Sequence, residues 1–364
     1  MKRYLLFLLT LTLCGGPHPA ARAQTQIHAL WGFTPEGPFA GTPKETAAAL
    51  YQNNINAVFV DTIAPELHQT LKAIGVKIYT TVNVFGSSVL WRRHPQLRPV
   101  DRQGNRVAAE PGNGICPTQR SFWPRLLRQI AQKRDAGFDG IWLDFLRFSG
   151  HWETPNPELL ETCFCDSTLA DFERRSGLVI PENLPMDTST DGPAGAKAGL
   201  LAARANWILT HHRREWMLYK TAVIADFARQ AQETIAKKPG VIMGLFAVPW
   251  QREEYGRAIT NVLGQDYRRL SSHFDVFSPM LYHELCGRPV EWISQFVQYT
   301  ASETNKPVWP IIQTDLGSGH NVPDDEFSAA VLHALEAPAG GVIIFRQQTL
   351  LQAKQLAILR ASWQ

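Results

Sequence analysis

No block of lysine and arginine interrupts this sequence, only 19% of its residues are charged, and the formal net charge is +3. A surface that tracks phosphates needs a dense basic stripe, so no nucleic-acid partner is expected. Beyond the N-terminal stretch no segment reaches 18 uninterrupted apolar residues, so no membrane span is expected. The first candidate strand runs into WGFTPEGPF without a G-x-G-x-x-G turn, which argues against a doubly wound dinucleotide-binding sheet. Cysteines number five, with no C-x₂-C pair beside a partner histidine, and neither His211 nor His212 has a second histidine four residues on. No metal site and no cofactor are expected.

What is present is apolar material: 45% of 364 residues, enough for one large core. At the N-terminus Lys2 and Arg3 precede YLLFLLTLTL, and Ala21-Arg22-Ala23 supplies a small-residue site before Gln24. This reads as a secretory signal over residues 1–23, cleaved near Ala23, leaving residues 24–364 secreted or periplasmic. Leu11-Thr12-Leu13-Cys14 partly matches a lipid-attachment signal, but Leu13 stands where a small residue is usual, so an anchor at Cys14 is the lesser reading.

From Gln24 onward, short β-rich apolar runs alternate with helix-like stretches such as PELHQTLKAIG and DDEFSAAVLHALEA. The runs are 27–33, 56–61, 77–85, 140–148, 241–248, 275–283, 308–314 and 341–345. Eight strands alternating with helices is the count of a (β/α)₈ TIM barrel, an α/β fold, here as a single domain. The Pro-, Gly- and Asp-rich connection after strand four, HWETPNPELLETCFCDST through PENLPMDTSTDGPAGAKAG, reads as an elaborated surface loop.

Such barrels build their sites at the C-terminal strand ends. Those ends here carry Trp31, Asp61, Asn83, Asp144, Trp250, the run Tyr282-His283-Glu284, and the run Gln313-Thr314-Asp315. Asp144 stands out because GFDGIWLDFLRF sets it between Leu143 and Phe145, where an unpaired carboxylate costs several kcal/mol, roughly. Two carboxylates across a cleft with aromatic walls are what glycosidic cleavage needs: one ionised, the other holding a proton for the leaving oxygen. Arg147 is expected to keep Asp144 ionised, and Glu284, beside Tyr282, His283 and Leu285, to sit in a less polar setting. Asp315 is the reserve acid, and Asp61 is expected to hold substrate hydroxyls or Arg147. Trp31, Trp91, Trp152 and Trp250 are candidate stacking platforms for an oligo- or polysaccharide, with Asn83, Tyr282, His283 and Gln313 as further substrate contacts.

GFDGIWLDFLRF, NGICPTQRSFWPRLLRQI and LGQDYRRLSSHFDVFSPMLYHELCGRPVEW together resemble a group of secreted glycoside-hydrolase-like barrels, distantly similar to the α-amylase and α-galactosidase superfamily. The resemblance spans about residues 31–345. It implies a nucleophile ending strand four, Asp144, and an acid/base ending strand six, Glu284. In the α-amylase branch the acid ends strand five, where this chain offers only Glu253 and Glu254 in the following loop. The resemblance also implies a CxCxxC pattern after strand four, where this chain reads CFCDST. The implied activity is hydrolysis of O-glycosidic bonds in an extracellular or cell-envelope glycan, with a retaining two-carboxylate mechanism.

After signal removal Cys116, Cys163, Cys165 and Cys286 remain, all on loops of one barrel face, and in an exported chain a disulfide between two of these loops is expected. The alternative function is a catalytically inactive carbohydrate-binding barrel, against which the acids on strands four and six speak. A metal-dependent deacetylase would want Asp/His/His ligands at strand ends, and His283 is the only strong strand-end histidine.

Overall fold

The computed structural model describes residues 26–110, 112–186, 192–317, 320–350 and 354–363. The expected signal segment and Cys14 lie outside the described residues. Eight parallel strands appear in chain order: β1 (Ile27–Trp31), β2 (Ala57–Phe59), β3 (Lys77–Asn83), β4 (Gly140–Asp144), β5 (Ile242–Ala247), β6 (Val276–Pro279), β7 (Ile311–Gln313) and β8 (Gly341–Phe345). Each pairs with its sequence neighbour from β1 to β6, β8 pairs with β1, and β7 pairs with β8. The seam between β6 and β7 is bridged by Phe277 with Val308 and Met280 with Ile311. The result is a nearly closed (β/α)₈ barrel, as the strand count implies.

Between the strands run α1 (Pro43–Gln52), α2 (Pro65–Ala73), α3 (Trp123–Asp135), α4 (Asp166–Ser176), α5 (Gly192–His211), α6 (Arg213–Ile235), α7 (Ala258–Asn261), α8 (Tyr267–Leu270), α9 (Trp292–Thr304) and α10 (Asp324–Leu335). Two short helices, α11 (Gln347–Leu350) and α12 (Gln355–Ser362), follow β8. The first begins as its sequence directs. Thr42 caps Glu45 and Glu45 returns the bond to the Thr42 N–H, with Pro43 in the first turn.

Several strands are shorter than the apolar runs that announce them. β6 ends at Pro279 and β7 begins after Pro310, because proline has no N–H for the ladder. β4 stops at Asp144 because Phe145 turns into the left-handed region, φ 52°. Asp144 is therefore the last residue of its strand. The connection after β4 is not all loop. Helix α4 forms inside it and ends on the left-handed Gly177.

Aromatic rings fill the barrel interior. Phe59 of β2 meets Trp142 of β4 edge-on at 4.9 Å, and Trp142 stacks on Trp309 at 5.3 Å. The indole N–H of Trp142 donates to the Ser278 hydroxyl at 3.0 Å, so the buried ring keeps its hydrogen bond. Space for that ring comes from glycine on the neighbouring strand. A Cβ at Gly244 would lie 2.1 Å from the Trp142 ring, and Gly244 is its register partner.

Candidate active site

Asp144 closes β4 opposite Asn83 of β3, at the C-terminal mouth of the barrel. Its Oδ1 accepts from the Phe145 N–H at 2.8 Å. Burial pushes its carboxyl up to about 6, against the opposing effects of that hydrogen bond and of Arg147, and with the charge of Glu153 adding to the rise. The expected ionising partnership with Arg147 is not what the fold builds. The Arg147 guanidinium is buried, donates to the carbonyls of Phe148 (3.1 Å) and Gly150 (2.9 Å), and lies over the Phe145 ring at 4.8 Å. It acts on Asp144 through space only, and burial pulls its own pKa down to about 10. Desolvation outweighs attraction.

Glu153 was not among the residues singled out by sequence. It follows Trp152 in the connection after β4, and its charge acts on Asp144, on Tyr282 and on Cys286. Its side chain reaches solvent, yet the protein crowded around its carboxyl raises its pKa, with Arg147 and His151 opposing. The only sequence signal for it was position: an acid a few residues beyond a strand-end aspartate, on the same loop.

Tyr282 sits at the centre of this group. It is buried, stacked on Trp152 at 5.6 Å and tilted against Phe345 at 5.3 Å. Burial, then the charges of Glu153, Asp144, Cys286 and Asp315, push its phenol well up, so it stays a neutral hydroxyl. Asp315 approaches from β7. Its Oδ2 accepts from Thr349 at 3.0 Å, its Oδ1 accepts from the Gly317 N–H at 2.8 Å, and the Arg346 guanidinium lies 3.6 Å away.

Glu284 stands differently from the apolar setting expected of it. Its side chain is exposed, beside His283 and Glu326, and it is not among the charges acting on Asp144 or Tyr282. His283 is buried, its Nε2 3.0 Å from Glu326, and burial lowers its pKa while Glu326 opposes. Gln313 is buried and donates to the Asp315 carbonyl at 2.9 Å, tying the end of β7 down. Asn83 is exposed, and its Oδ1 accepts from the Gly86 N–H at 2.7 Å. Asp61 is not a partner of Arg147 among the described residues. It is exposed and pairs with Lys133 of α3 at 2.5 Å.

The tryptophans divide in a way position alone did not reveal. Trp152 is 2% exposed with one face on Tyr282, and Trp250 is 4% exposed against Tyr255, so neither offers an open platform. Trp31 is half-buried against Phe345 and keeps part of its surface at the mouth.

All four described cysteines are free, and none is joined in the expected disulfide. Cys116, Cys163 and Cys165 meet instead in one cluster, their sulfurs within 4.8 Å of one another. Hydrogen bonds from the other two thiols hold Cys165 down to about 2, while burial raises Cys116 to about 12 and pushes Cys163 well up. Among the described residues this trio and the set His283, Glu284 and Glu326 are the groups whose spacing could hold a metal ion.

No protein-family model matches the chain, and no curated protein sequence does. Solved structures do. A β-galactosidase from the psychrophilic Marinomonas ef1 superposes with a TM-score of 0.61 at 12% identity, over 93% of this chain and 59% of that one. A β-galactosidase from the Antarctic haloarchaeon Halorubrum lacusprofundi gives 0.61 at 11%, over 93% and 57%. The α-L-fucosidase isoenzyme 2 from Paenibacillus thiaminolyticus gives 0.56 at 14%, over 93% and 49%. The chain spans between about half and three-fifths of their lengths, and at these identities the likeness is one of fold: a barrel of the kind found in glycosidases.

Proposed function

We propose that this protein is an exported hydrolase of O-glycosidic bonds in an extracellular or cell-envelope glycan. The observation that carries the reading is the convergence of Asp144 and Glu153 on Tyr282 at the C-terminal mouth, with Asp144 held up to about 6. A carboxyl at that pKa is half protonated at about pH 6 and still about one-tenth protonated at pH 7, so it can give a proton to a leaving oxygen and take one back from water. Asp144 serves as this acid/base. Glu153 is the second carboxylate, placed to face the anomeric carbon or the attacking water, and Tyr282 donates its hydroxyl to the sugar between them. Support for export is the N-terminal pattern of Lys2, Arg3, the apolar run and the Ala21-Arg22-Ala23 site.

The pairing differs from the one the sequence resemblance implies, in which Asp144 attacks and Glu284 donates. One set of variants separates the two. Turnover of a glycan panel should fall by at least about a thousandfold in Asp144→Asn and in Glu153→Gln, while Glu284→Gln stays within a few-fold of the parent. Loss in Glu284→Gln with Glu153→Gln unaffected would return the second role to Glu284. Loss in Asp315→Asn alone with Asp144 would give it to Asp315. Binding of glycans with no turnover in the parent protein would make this a carbohydrate-binding barrel.

A further inference from the structure

Beside the mouth, the loop between β3 and α3 forms a groove of about 440 Å³, lined by Ser88, Trp91, Arg92, Pro95, Arg98 and Arg106 with two small apolar neighbours. That volume suits a few sugar units or a compact ligand. Among the described residues, no acidic one lines it. Among the described residues, Arg92, Arg98 and Arg106 form no ion pair, whereas arginines elsewhere do, such as Arg268 with Glu303 and Arg288 with Glu254.

Backbone carbonyls hold two of the three guanidiniums in place. Arg98 donates from Nε to the Val107 carbonyl at 2.6 Å and from Nη2 to the Arg106 carbonyl at 3.1 Å, and Arg106 donates from Nη1 to the Pro95 carbonyl at 2.9 Å. Carbonyls orient a cation without neutralising it, so the groove keeps the positive charge. Arg98 also lies over the Trp91 ring at 5.4 Å, and the buried Trp91 indole N–H has no acceptor. Three guanidiniums without an acidic partner line one groove, Arg92 and Arg106 with a two-nitrogen edge uncommitted and Arg98 with Nη1, and they form a recognition set for oxyanions, because a guanidinium edge matches a carboxylate or a sulfate with two parallel hydrogen bonds. The weak net charge of +3 makes this a local concentration, not a general basic surface.

The loop that forms the groove is rooted at the end of the barrel that carries the acids. It leaves β3 at Asn83, the register partner of Asp144. Gly86 packs on Phe145, where an added Cβ would meet the ring at 2.3 Å, and the Gly150 N–H donates to the Gly112 carbonyl at 3.3 Å. The loop thus stands on the catalytic end of the barrel, against the connection that carries Glu153.

We propose that this groove is a subsite for an anionic saccharide, one bearing uronate carboxylates or sulfate esters, so that the glycan cleaved is an acidic one. The inference rests on the hydrolase reading, and calorimetric binding on the full chain separates the two. The probes are trigalacturonate, a sulfated carrageenan tetrasaccharide, neutral cellotetraose and a single-stranded DNA 20-mer, each at low and at 0.5 M salt. One of the two acidic saccharides should bind, more weakly at high salt, and the stronger of them identifies the anionic group. Arg92→Ala, which removes an exposed side chain, should weaken that affinity about tenfold without shifting the melting temperature, and Arg106→Ala should weaken it similarly while also giving up the bond to the Pro95 carbonyl.

Equal affinity for cellotetraose, indifference to Arg92→Ala and Arg106→Ala, or binding of DNA in preference to both acidic saccharides would overturn the subsite. If neutral glycans are cleaved at the same rate by the arginine variants and acidic ones are not bound, the hydrolase reading stands and the subsite falls. If acidic glycans bind through the arginines and none is cleaved, the subsite stands and hydrolysis falls.

Discussion

Replacing Asp144 by asparagine should make the protein more stable at pH 8 and leave it nearly unchanged at pH 4. The reasoning is a linkage argument. In the unfolded chain the carboxyl ionises near 3.8, whereas burial in the fold lifts it to about 6. Between those values the folded protein keeps a proton that the unfolded chain has released. Each unit of pH across that window therefore subtracts about 1.4 kcal/mol from stability. The stability is fully present below pH 3.8, is lost as pH rises through 6, and stays lost above it. The whole window amounts to about 3 kcal/mol as an upper bound, since Asp144 is partly open to solvent and screening reduces it. Asparagine is never ionised and retains an oxygen for the Phe145 N–H, although a neutral acceptor makes a weaker bond, by about 1 kcal/mol. Comparing the two proteins at each pH cancels every other titrating group to first order. Urea unfolding at pH 4 and pH 8 is the assay, and the variant should gain about 1–3 kcal/mol relative to the parent on going from the lower to the higher pH. No gain, or a loss, would show that Asp144 is not held in its protonated form by burial, and the acid/base role would go with it.

Other expectations follow from features of the fold. Gly244→Ala should cost about 3 kcal/mol in a denaturant titration, because its Cβ would enter the Trp142 ring. A loss below 1 kcal/mol would mean the ring can move aside. Iodoacetamide at pH 7 should label Cys165 first among the cysteines, since its thiol is held down while Cys116, Cys163 and Cys286 are pushed up. Peptide mapping that finds Cys286 labelled first would contradict this. Mapping of unreduced protein should find no disulfide that includes Cys286, because the other three sulfurs cluster without it.

Most of the barrel was legible in the chain because its strands are apolar runs punctuated by polar helices, and β8 was readable to the residue. Strand ends were less so. The ladder stops at Pro279 and before Pro310, and Phe145 leaves β4 through a left-handed turn that no composition announces. Helix α4 was hidden between proline- and glycine-rich flanks that read as loop. At the site, Asp144 was found from sequence because a lone acid in an apolar strand is costly wherever the strand packs. Glu153 was not, since only the folding back of the loop over Tyr282 brings its charge to Asp144. The same limit applied to Trp152 and Trp250. Their position at strand ends was readable, but not the rings that cover them, Tyr282 from beyond β6 for Trp152 and, for Trp250, Tyr255 through a turn of the same loop. The thiol cluster likewise joins Cys116 to residues almost fifty positions later.

The pairing of Trp142 with Gly244 also works as a key in its keyway. Parallel strands covered on both faces carry apolar residues at every position, so polarity alone does little to set how far one stands along its neighbour, and the fit of particular side chains sets it instead. Here a slide of β5 by one position would set Met243 or Leu245 beside the indole, where Gly244 now leaves room. Only one alignment admits the ring. Since Trp142 lies two residues before Asp144, the alignment that seats the indole also fixes the height at which the acid emerges from the barrel. Substitutions that free β4 to slide would then move the carboxyl by a residue's rise, about 3.3 Å, enough to separate it from its partners with every side chain at the mouth intact.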